Sequence, residues 1–232
     1  MLEKPLVVAF APPQKLTEKL ETFARGIIGP EDRRRFGKWE ERKIAYFAGR
    51  AALRLALEEA GLEGIVTPDG EYGYLKIECG TPVFGNISHT RGLVAAVICK
   101  HPVGIDVESS QRDASQVMKR VATAQERAEW KSPIQLWSAK EALSKAFGLG
   151  MRFGLQSFEA RWSKELPWKG IAQVKGPLDV KEPAIWQEDK HGFLISVATE
   201  IQAIQKGVAL LLGSTSRALE ERIEMWSVPR WP

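Results

Sequence analysis

The stretch that most constrains this chain is the run GIDVE at residues 104–108, in which β-branched residues alternate with acids. Because successive side chains of a β-strand point to opposite faces, Asp106 and Glu108 should leave one face while Ile105 and Val107 enter a core. Two carboxylates held side by side repel each other unless a cation lies between them. The run predicts either a site for a hard cation such as Mg²⁺ or an exposed strand end with two solvated acids.

A second informative stretch, residues 136–147, has the periodicity of an amphipathic helix. The apolar positions that predict its buried face are Leu136, Ala139, Leu143, Ala146 and Phe147. Trp137, Glu141 and Lys145 are each four residues apart and form a stripe on another face. This stripe is either an ordinary Glu–Lys surface pair or the third carboxylate and the cation of a metal and phosphate site.

These two stretches, written as GIDVE and as Trp137-x-x-Lys140-Glu141-Ala142-x-x-Lys145, resemble the paired signature of the Sfp-type 4′-phosphopantetheinyl transferases. Residues 86–90, NISHT, are similar to that family's Asn-hydrophobic-Ser-His-Ser/Thr element, and residues 48–54 resemble its Gly-Arg helix. The elements occur in the family's order, and the resemblance covers roughly residues 33–199.

The resemblance implies an α+β fold of two similar α/β halves, each a long helix packed on antiparallel strands. The halves of this family form an intramolecular pseudo-dimer with coenzyme A between them. We accordingly expect an N-terminal, nucleotide-binding half at residues 1–102, a metal-binding and catalytic half at 103–212, and a tail at 213–232. The coarse pattern agrees, because a helical stretch precedes a set of strand-like runs in each half.

The activity that the resemblance implies is that of a holo-[acyl-carrier-protein] synthase type transferase. Such an enzyme moves 4′-phosphopantetheine from coenzyme A to a serine hydroxyl of an apo acyl or peptidyl carrier protein and releases adenosine 3′,5′-bisphosphate. By resemblance, Asp106, Glu108 and Glu141 hold Mg²⁺, and Mn²⁺ accepts the same ligands. Glu141, directly or through a metal-bound water, then accepts the serine proton, and Lys145 stabilises charge on the leaving group.

The residues that the resemblance assigns to coenzyme A are Arg50, Ser88, His89 and Lys145. The planar guanidinium of Arg50 suits the 3′-phosphate of the nucleotide. Arg54, one turn further along, has two interpretations: the same phosphate role or an ion pair with Glu58.

The chain departs from the family pattern at Thr81, because the family usually carries a basic residue before this proline. Lys76 or Arg91 is the cation that we expect to compensate for it. Glu126 lies where the family often has another acid between the two signatures, and it is therefore a further candidate.

Composition limits the remaining classes of protein. No run approaches the roughly 18 apolar residues of a membrane span, and the first ten residues lack a signal-peptide pattern. Two cysteines form no disulfide framework or metal motif. The cysteine usage favours a reducing cytoplasm. The net charge of +4 indicates an acidic partner, here the carrier protein, without requiring nucleic acid. We expect a cytoplasmic monomer that binds neither a membrane nor nucleic acid. The cations that we expect to meet the carrier are Arg33, Arg34, Arg35 and Arg152.

Two alternatives remain open from sequence. A Mg²⁺-dependent phosphodiesterase or nuclease also uses acids with a lysine, but with water in place of the carrier serine. A non-catalytic module that binds coenzyme A or nucleic acid could use the cluster at residues 33–35 near Trp39. The carrier's pathway (fatty acid, polyketide, non-ribosomal peptide or lysine) and the role of the tail are open as well.

The predicted secondary structure outside these motifs follows the same patterns. Helices are predicted at 17–26, 39–60, 117–130 (broken) and 214–226, and strands at 6–10, 72–78, 83–88, 93–99, 103–108, 158–162, 171–175, 184–187 and 193–199. Residues 93–99 and 103–108 are predicted to pair as a hairpin through the turn at 100–102. Residues 201–212 are predicted to continue the last strand irregularly.

Overall fold

The computed structural model describes residues 2–29, 40–68, 75–130, 132–150, 154–162, 168–172 and 178–213. The predicted docking cations at 33–35 and 152 and the predicted helix at 214–226 lie outside these residues.

The described chain contains both helices and strands, as expected for an α+β fold. The α-helices are α1 (Glu18–Arg25), α2 (Glu40–Glu59), α3 (Ser115–Val121), α4 (Ala124–Glu129), α5 (Pro133–Ala146) and α6 (Ile201–Gln205). The strands are β1 (Leu6–Phe10), β2 (Ile65–Pro68), β3 (Leu75–Glu78), β4 (Pro82–Thr90), β5 (Leu93–Cys99), β6 (Gly104–Ser109), β7 (Phe158–Trp162), β8 (Trp168–Ala172), β9 (Pro183–Lys190), β10 (Phe193–Glu200) and β11 (Ala209–Gly213).

The strands form two sheets with the same internal order. The first sheet runs β11-β1-β5-β4-β3-β2, and the second runs β6-β10-β9-β8-β7. In each, a first strand (β1 or β6) precedes a long helix (α2 or α5), and the four strands after that helix follow in reverse order. The additional strand β11 pairs parallel to β1, whereas β1 pairs antiparallel to β5, as β6 does to β10. The two halves therefore share one topology.

The two sheets pack against each other and carry their long helices on the outer faces. Buried residues of α2 join one face of the first sheet in one core, and those of α5 join the second sheet in another. A third core lies between the sheets, where β1 and β5 side chains meet those of β6 and β10.

Gly104 permits a close contact between a helix and a sheet. A Cβ atom built on Gly104 would lie 2.0 Å from the carbonyl oxygen of Ala142 and 2.5 Å from the backbone nitrogen of Ala146. Both neighbours are backbone atoms of α5, so a larger residue would push α5 away from β6. This glycine thus fixes the distance between the two signature stretches.

The predicted hairpin between β5 and β6 is wrong, because the two strands lie in different sheets. The short connection is held by the second sheet instead: Thr199 Oγ1 donates to the carbonyl of Pro102 at 2.8 Å, and His101 Nδ1 lies 3.0 Å from Glu200 Oε2. The turn therefore transfers the chain from one sheet to the other. This partner also gives His101 the structural role usual for a lone histidine.

The predicted irregular strand at residues 201–212 is also wrong. The chain forms the short helix α6 and then β11, which returns to the first sheet beside β1. The strand β2 was not foreseen, and β8 begins before the predicted run at 171–175. The other predicted helices and strands agree with the structure within a few residues at their ends, wherever they are described.

Candidate active site

The two acids of the GIDVE run lie at the seam between the two sheets. Strand β6 forms one edge of the second sheet, and its outer side faces β4 of the first. There Ser88 Oγ accepts a hydrogen bond from the backbone nitrogen of Val107 at 3.3 Å and donates one to Asp106 Oδ1 at 3.0 Å. Asp106 and Glu108 are both buried. The exposed strand end with solvated acids is therefore excluded.

Lys145 joins helix α5 to this seam. Its Nζ donates to Asp106 Oδ1 at 2.9 Å, to Ser88 Oγ at 3.1 Å and to the carbonyl of Ile105 at 2.9 Å. Glu141, one turn earlier, lies 3.7 Å from the same ammonium group. Residues from three predicted motifs thus meet around one lysine.

Glu108 is held by two residues on the opposite side of the cluster. Trp137 Nε1 donates to Glu108 Oε1 at 3.0 Å, and Arg112 Nη1 bonds to the same oxygen. The guanidinium of Arg112 also lies 5.4 Å from the centroid of the Trp137 ring. The stripe of Trp137, Glu141 and Lys145 was predicted, but no sequence signal pointed to Arg112, which follows the strand in a loop.

Burial and neighbouring negative charge make Glu141 harder to ionise. Burial, and then the charges of Asp106 and Glu108, raise the pKa of Glu141 to about 7, although Lys145 opposes this shift. Asp106 Oδ2 is buried and has no hydrogen-bond partner among the described residues. We call Asp106, Glu108, Glu141 and Lys145 the seam cluster.

The seam cluster fits a divalent cation in its chemistry. A buried orphaned carboxylate oxygen and a carboxyl group that resists ionisation are both relieved by an added positive charge. No three His, Cys, Asp or Glu side chains of the described residues, however, are close enough together to form a ready-made metal site. Lys145 pairs with Asp106, and Arg112 pairs with Glu108.

The residues assigned to the nucleotide lie on the first-sheet side of the seam. Arg50 stacks on the Tyr46 ring at 4.2 Å and lines a cavity of about 190 Å³ together with Lys145 and Asn86. The side-chain oxygen of Asn86 is buried there without a hydrogen-bond partner among the described residues. Arg50 and Lys145, predicted from separate motifs, therefore reach one cavity. Ser88 is turned toward Asp106 instead.

A larger cavity of about 810 Å³ adjoins His89. Arg42 and Arg91 also line it, so it offers several cationic or hydrogen-bonding groups to an anion. Burial of the ring and the charge of Lys145 lower the pKa of His89, while Asp106 opposes this. Arg91 is one of the two cations expected to compensate for Thr81. Arg42 was not predicted from the sequence.

Two further candidates have structural partners. Glu126 and Lys140 form a fully buried ion pair, in which Lys140 Nζ lies 2.8 and 2.7 Å from the two carboxylate oxygens. Arg54 bonds to Glu58 at 2.8 Å and to the carbonyl of Phe23 at 2.7 Å. These contacts support the ion-pair interpretation of Arg54 and remove Glu126 from the candidate site.

Comparison with known proteins agrees with the motifs. Residues 38–99 match the model of the 4′-phosphopantetheinyl transferase N-terminal domain, and residues 102–187 match that of the 4′-phosphopantetheinyl transferase superfamily. The two matches adjoin where the chain passes from the first sheet to the second.

Several curated proteins are similar to this chain. The 4′-phosphopantetheinyl transferase gsp of Aneurinibacillus migulanus is 23% identical over 75% of this chain and 79% of its own length. The 4′-phosphopantetheinyl transferase psf-1 of Bacillus pumilus is 34% identical over 44% of this chain and 46% of its own length. Enterobactin synthase component D of Salmonella typhi is 31% identical over 46% of this chain and 49% of its own length. The chain thus spans about half the length of the latter two.

The site and these matches together define the class: the chain belongs to the 4′-phosphopantetheinyl transferase superfamily. The expected family is confirmed. Of the helices in the described residues, none is long and apolar enough to cross a membrane.

Proposed function

We propose that this protein transfers 4′-phosphopantetheine from coenzyme A to a serine hydroxyl of an apo acyl or peptidyl carrier protein. The observation that carries the proposal is the meeting of Asp106, Glu141 and Lys145 with Ser88 across the seam. Three acids beside a lysine suit a diphosphate bound through a divalent cation. The halves form an intramolecular pseudo-dimer, and coenzyme A binds between them.

In this proposal the nucleotide lies on the first-sheet side. Arg50, in the smaller cavity, and His89, in the larger one, bind the phosphates of the nucleotide through charge and hydrogen bonds. These groups touch a part of the substrate that does not react. Their contribution is therefore mainly to the affinity for coenzyme A.

The reacting diphosphate lies at the seam cluster, where Asp106, Glu108 and Glu141 would hold Mg²⁺ or Mn²⁺. The bound metal ion supplies charge neutralisation and orientation to the diphosphate. The serine oxygen forms a bond to the β-phosphorus as the bond to the bridging oxygen breaks, which releases adenosine 3′,5′-bisphosphate. Glu141 accepts the serine proton.

Lys145 has a different task in the same step. Its ammonium group lies against Asp106 and close to Glu141. From that position it stabilises the negative charge that grows on the departing bisphosphate.

The test is incubation of the protein with coenzyme A, Mg²⁺ and a panel of apo carrier proteins, followed by intact mass measurement. We expect at least one carrier to gain a single phosphopantetheinyl group, and its Ser→Ala variant to gain none. Breakdown of coenzyme A with no modified carrier would instead support the phosphodiesterase alternative.

A further inference from the structure

Arg112 blocks one ligand oxygen of the seam cluster. Glu108 Oε1 accepts hydrogen bonds from the Trp137 indole N–H, at 3.0 Å, and from the Arg112 guanidinium. A carboxylate oxygen with two donors has little capacity left for a cation. As long as Arg112 stays in place, this oxygen is therefore closed to a metal ion.

The two protein cations of the site differ in how firmly they are held. Lys145 donates to three acceptors, two of them side chains of the seam. Arg112 bonds to Glu108 from a loop, and its side chain is 46% exposed against 9% for that of Glu108. An exposed arginine that leaves its partner is solvated at once, whereas a lysine with three protein acceptors leaves buried groups unsatisfied.

Trp137 contacts both members of the Arg112–Glu108 pair. Its ring is buried and lies 5.4 Å from Arg112 Cζ. The indole N–H continues to hold Glu108 in orientation, so the carboxylate need not move when Arg112 does.

We propose that Arg112 is the resident counter-cation of Glu108, and that a divalent cation entering the seam cluster displaces it from this carboxylate. The inference rests on the proposed function, since it takes the seam cluster to be a cation site. Arg112 is thereby a positioning residue, which stabilises Glu108 before the metal ion binds and competes with the ion for the same oxygen.

The experiment is a titration of the full chain with Mn²⁺, in which electron paramagnetic resonance measures the free ion. The variants are Arg112→Ala, Arg112→Lys and, as a matched control, Arg161→Ala. Arg161 also pairs a half-exposed guanidinium with a buried glutamate, Glu159, at 42% and 8% exposure. The control therefore removes an equal charge and a similar ion pair from strand β7, away from β6.

We expect Arg112→Ala to bind Mn²⁺ about fivefold more tightly than the wild type, since an exposed ion pair contributes up to about 1 kcal/mol. Arg112→Lys should fall between the two, and Arg161→Ala should match the wild type. Thermal unfolding confirms that each variant is folded. Equal or weaker Mn²⁺ binding by Arg112→Ala overturns the competition between Arg112 and the metal ion.

Failure of the underlying proposal has a different signature. Asp106→Asn should lose Mn²⁺ binding whether or not Arg112 is present. If Mn²⁺ affinity survives Asp106→Asn, the ion lies elsewhere and both the counter-cation and the metal assignment are overturned. If Arg112→Ala leaves Mn²⁺ affinity unchanged while carrier modification proceeds, only the role of Arg112 is wrong.

Discussion

Helix α5 places two neighbouring residues in ion clusters of opposite character. Lys140 enters the buried pair with Glu126, in which both side chains are 0% exposed. Glu141, the next residue, belongs to the seam cluster, which is partly exposed and where Asp106 Oδ2 lacks a hydrogen bond within the described structure. One helix thus contributes to two ion clusters. We call the Lys140–Glu126 pair closed, because it is fully buried, and the seam cluster open, because it is partly exposed.

The difference lies in how completely the carboxylates are satisfied. Glu126 accepts from Lys140, from the backbone nitrogen of Thr123 at 2.8 Å and from that of Ala160 at 2.9 Å. Lys140 in turn donates to the carbonyl of Val121 at 2.9 Å. A buried ion pair with every polar atom engaged holds elements together and has no capacity for a ligand. The carboxylate that is short of donors is the one open to a substrate or a metal ion.

The largest effect expected from this comparison is on activity. Asp106→Asn should reduce phosphopantetheinyl transfer at least about 10³-fold, which is about 4 kcal/mol of transition-state stabilisation. The measurement is the initial rate of carrier modification, with circular dichroism as the check on folding. Unchanged turnover at saturating Mg²⁺ would show that the seam cluster is as closed as the buried pair.

The second prediction concerns the stability that the buried pair provides. Lys140→Met leaves Glu126 buried and unpaired, and should lower the free energy of unfolding by about 3–5 kcal/mol. Arg161→Met, which removes the half-exposed partner of Glu159, is the control and should cost at most about 1 kcal/mol. Urea unfolding followed by circular dichroism measures both. Similar costs for the two variants would contradict the view that the fully buried pair contributes more to stability than a partly exposed one.

The third prediction is a pH dependence specific to the seam. Because the folded pKa of Glu141 is raised from 4.5 to about 7, the folded state holds a proton that the unfolded state releases. Stability from this group is complete below pH 4.5 and is lost as the pH rises through 7, by up to about 3 kcal/mol. Glu141→Gln should abolish this loss, so that the variant is more stable than the wild type at pH 8. Parallel pH profiles of unfolding for the two proteins would contradict the assignment.

The smallest effect is expected at the nucleotide side of the seam. Arg50→Ala should raise the KM for coenzyme A about tenfold and change kcat little, because Arg50 binds a part of the substrate that does not react. Dephospho-coenzyme A, which lacks the 3′-phosphate, should be affected much less by the same substitution. Equal losses with both substrates would show that Arg50 does not meet the 3′-phosphate.

The sequence by itself determined the local geometry of the site. The alternation in GIDVE placed Asp106 and Glu108 on one face of a strand, and the four-residue spacing aligned Glu141 and Lys145 on a helix. These relations depend only on backbone periodicity, which is why they are readable without a fold. The Thr123-x-x-Glu126 capping box was equally readable, and it would have identified Glu126 as a structural acid.

Only the tertiary structure decided which of these groups meet. Ser88 and Asp106 come from different sheets, and the sheets adjoin because the turn at 100–102 bonds to β10 instead of closing a hairpin. The partners of Lys140 and of Arg112 are likewise set by packing between elements, which no local pattern encodes. Whether a carboxylate is closed or open depends on the donors that the fold brings to it. For this reason Glu126 is a structural residue, whereas Asp106, Glu108 and Glu141 belong to a candidate active site.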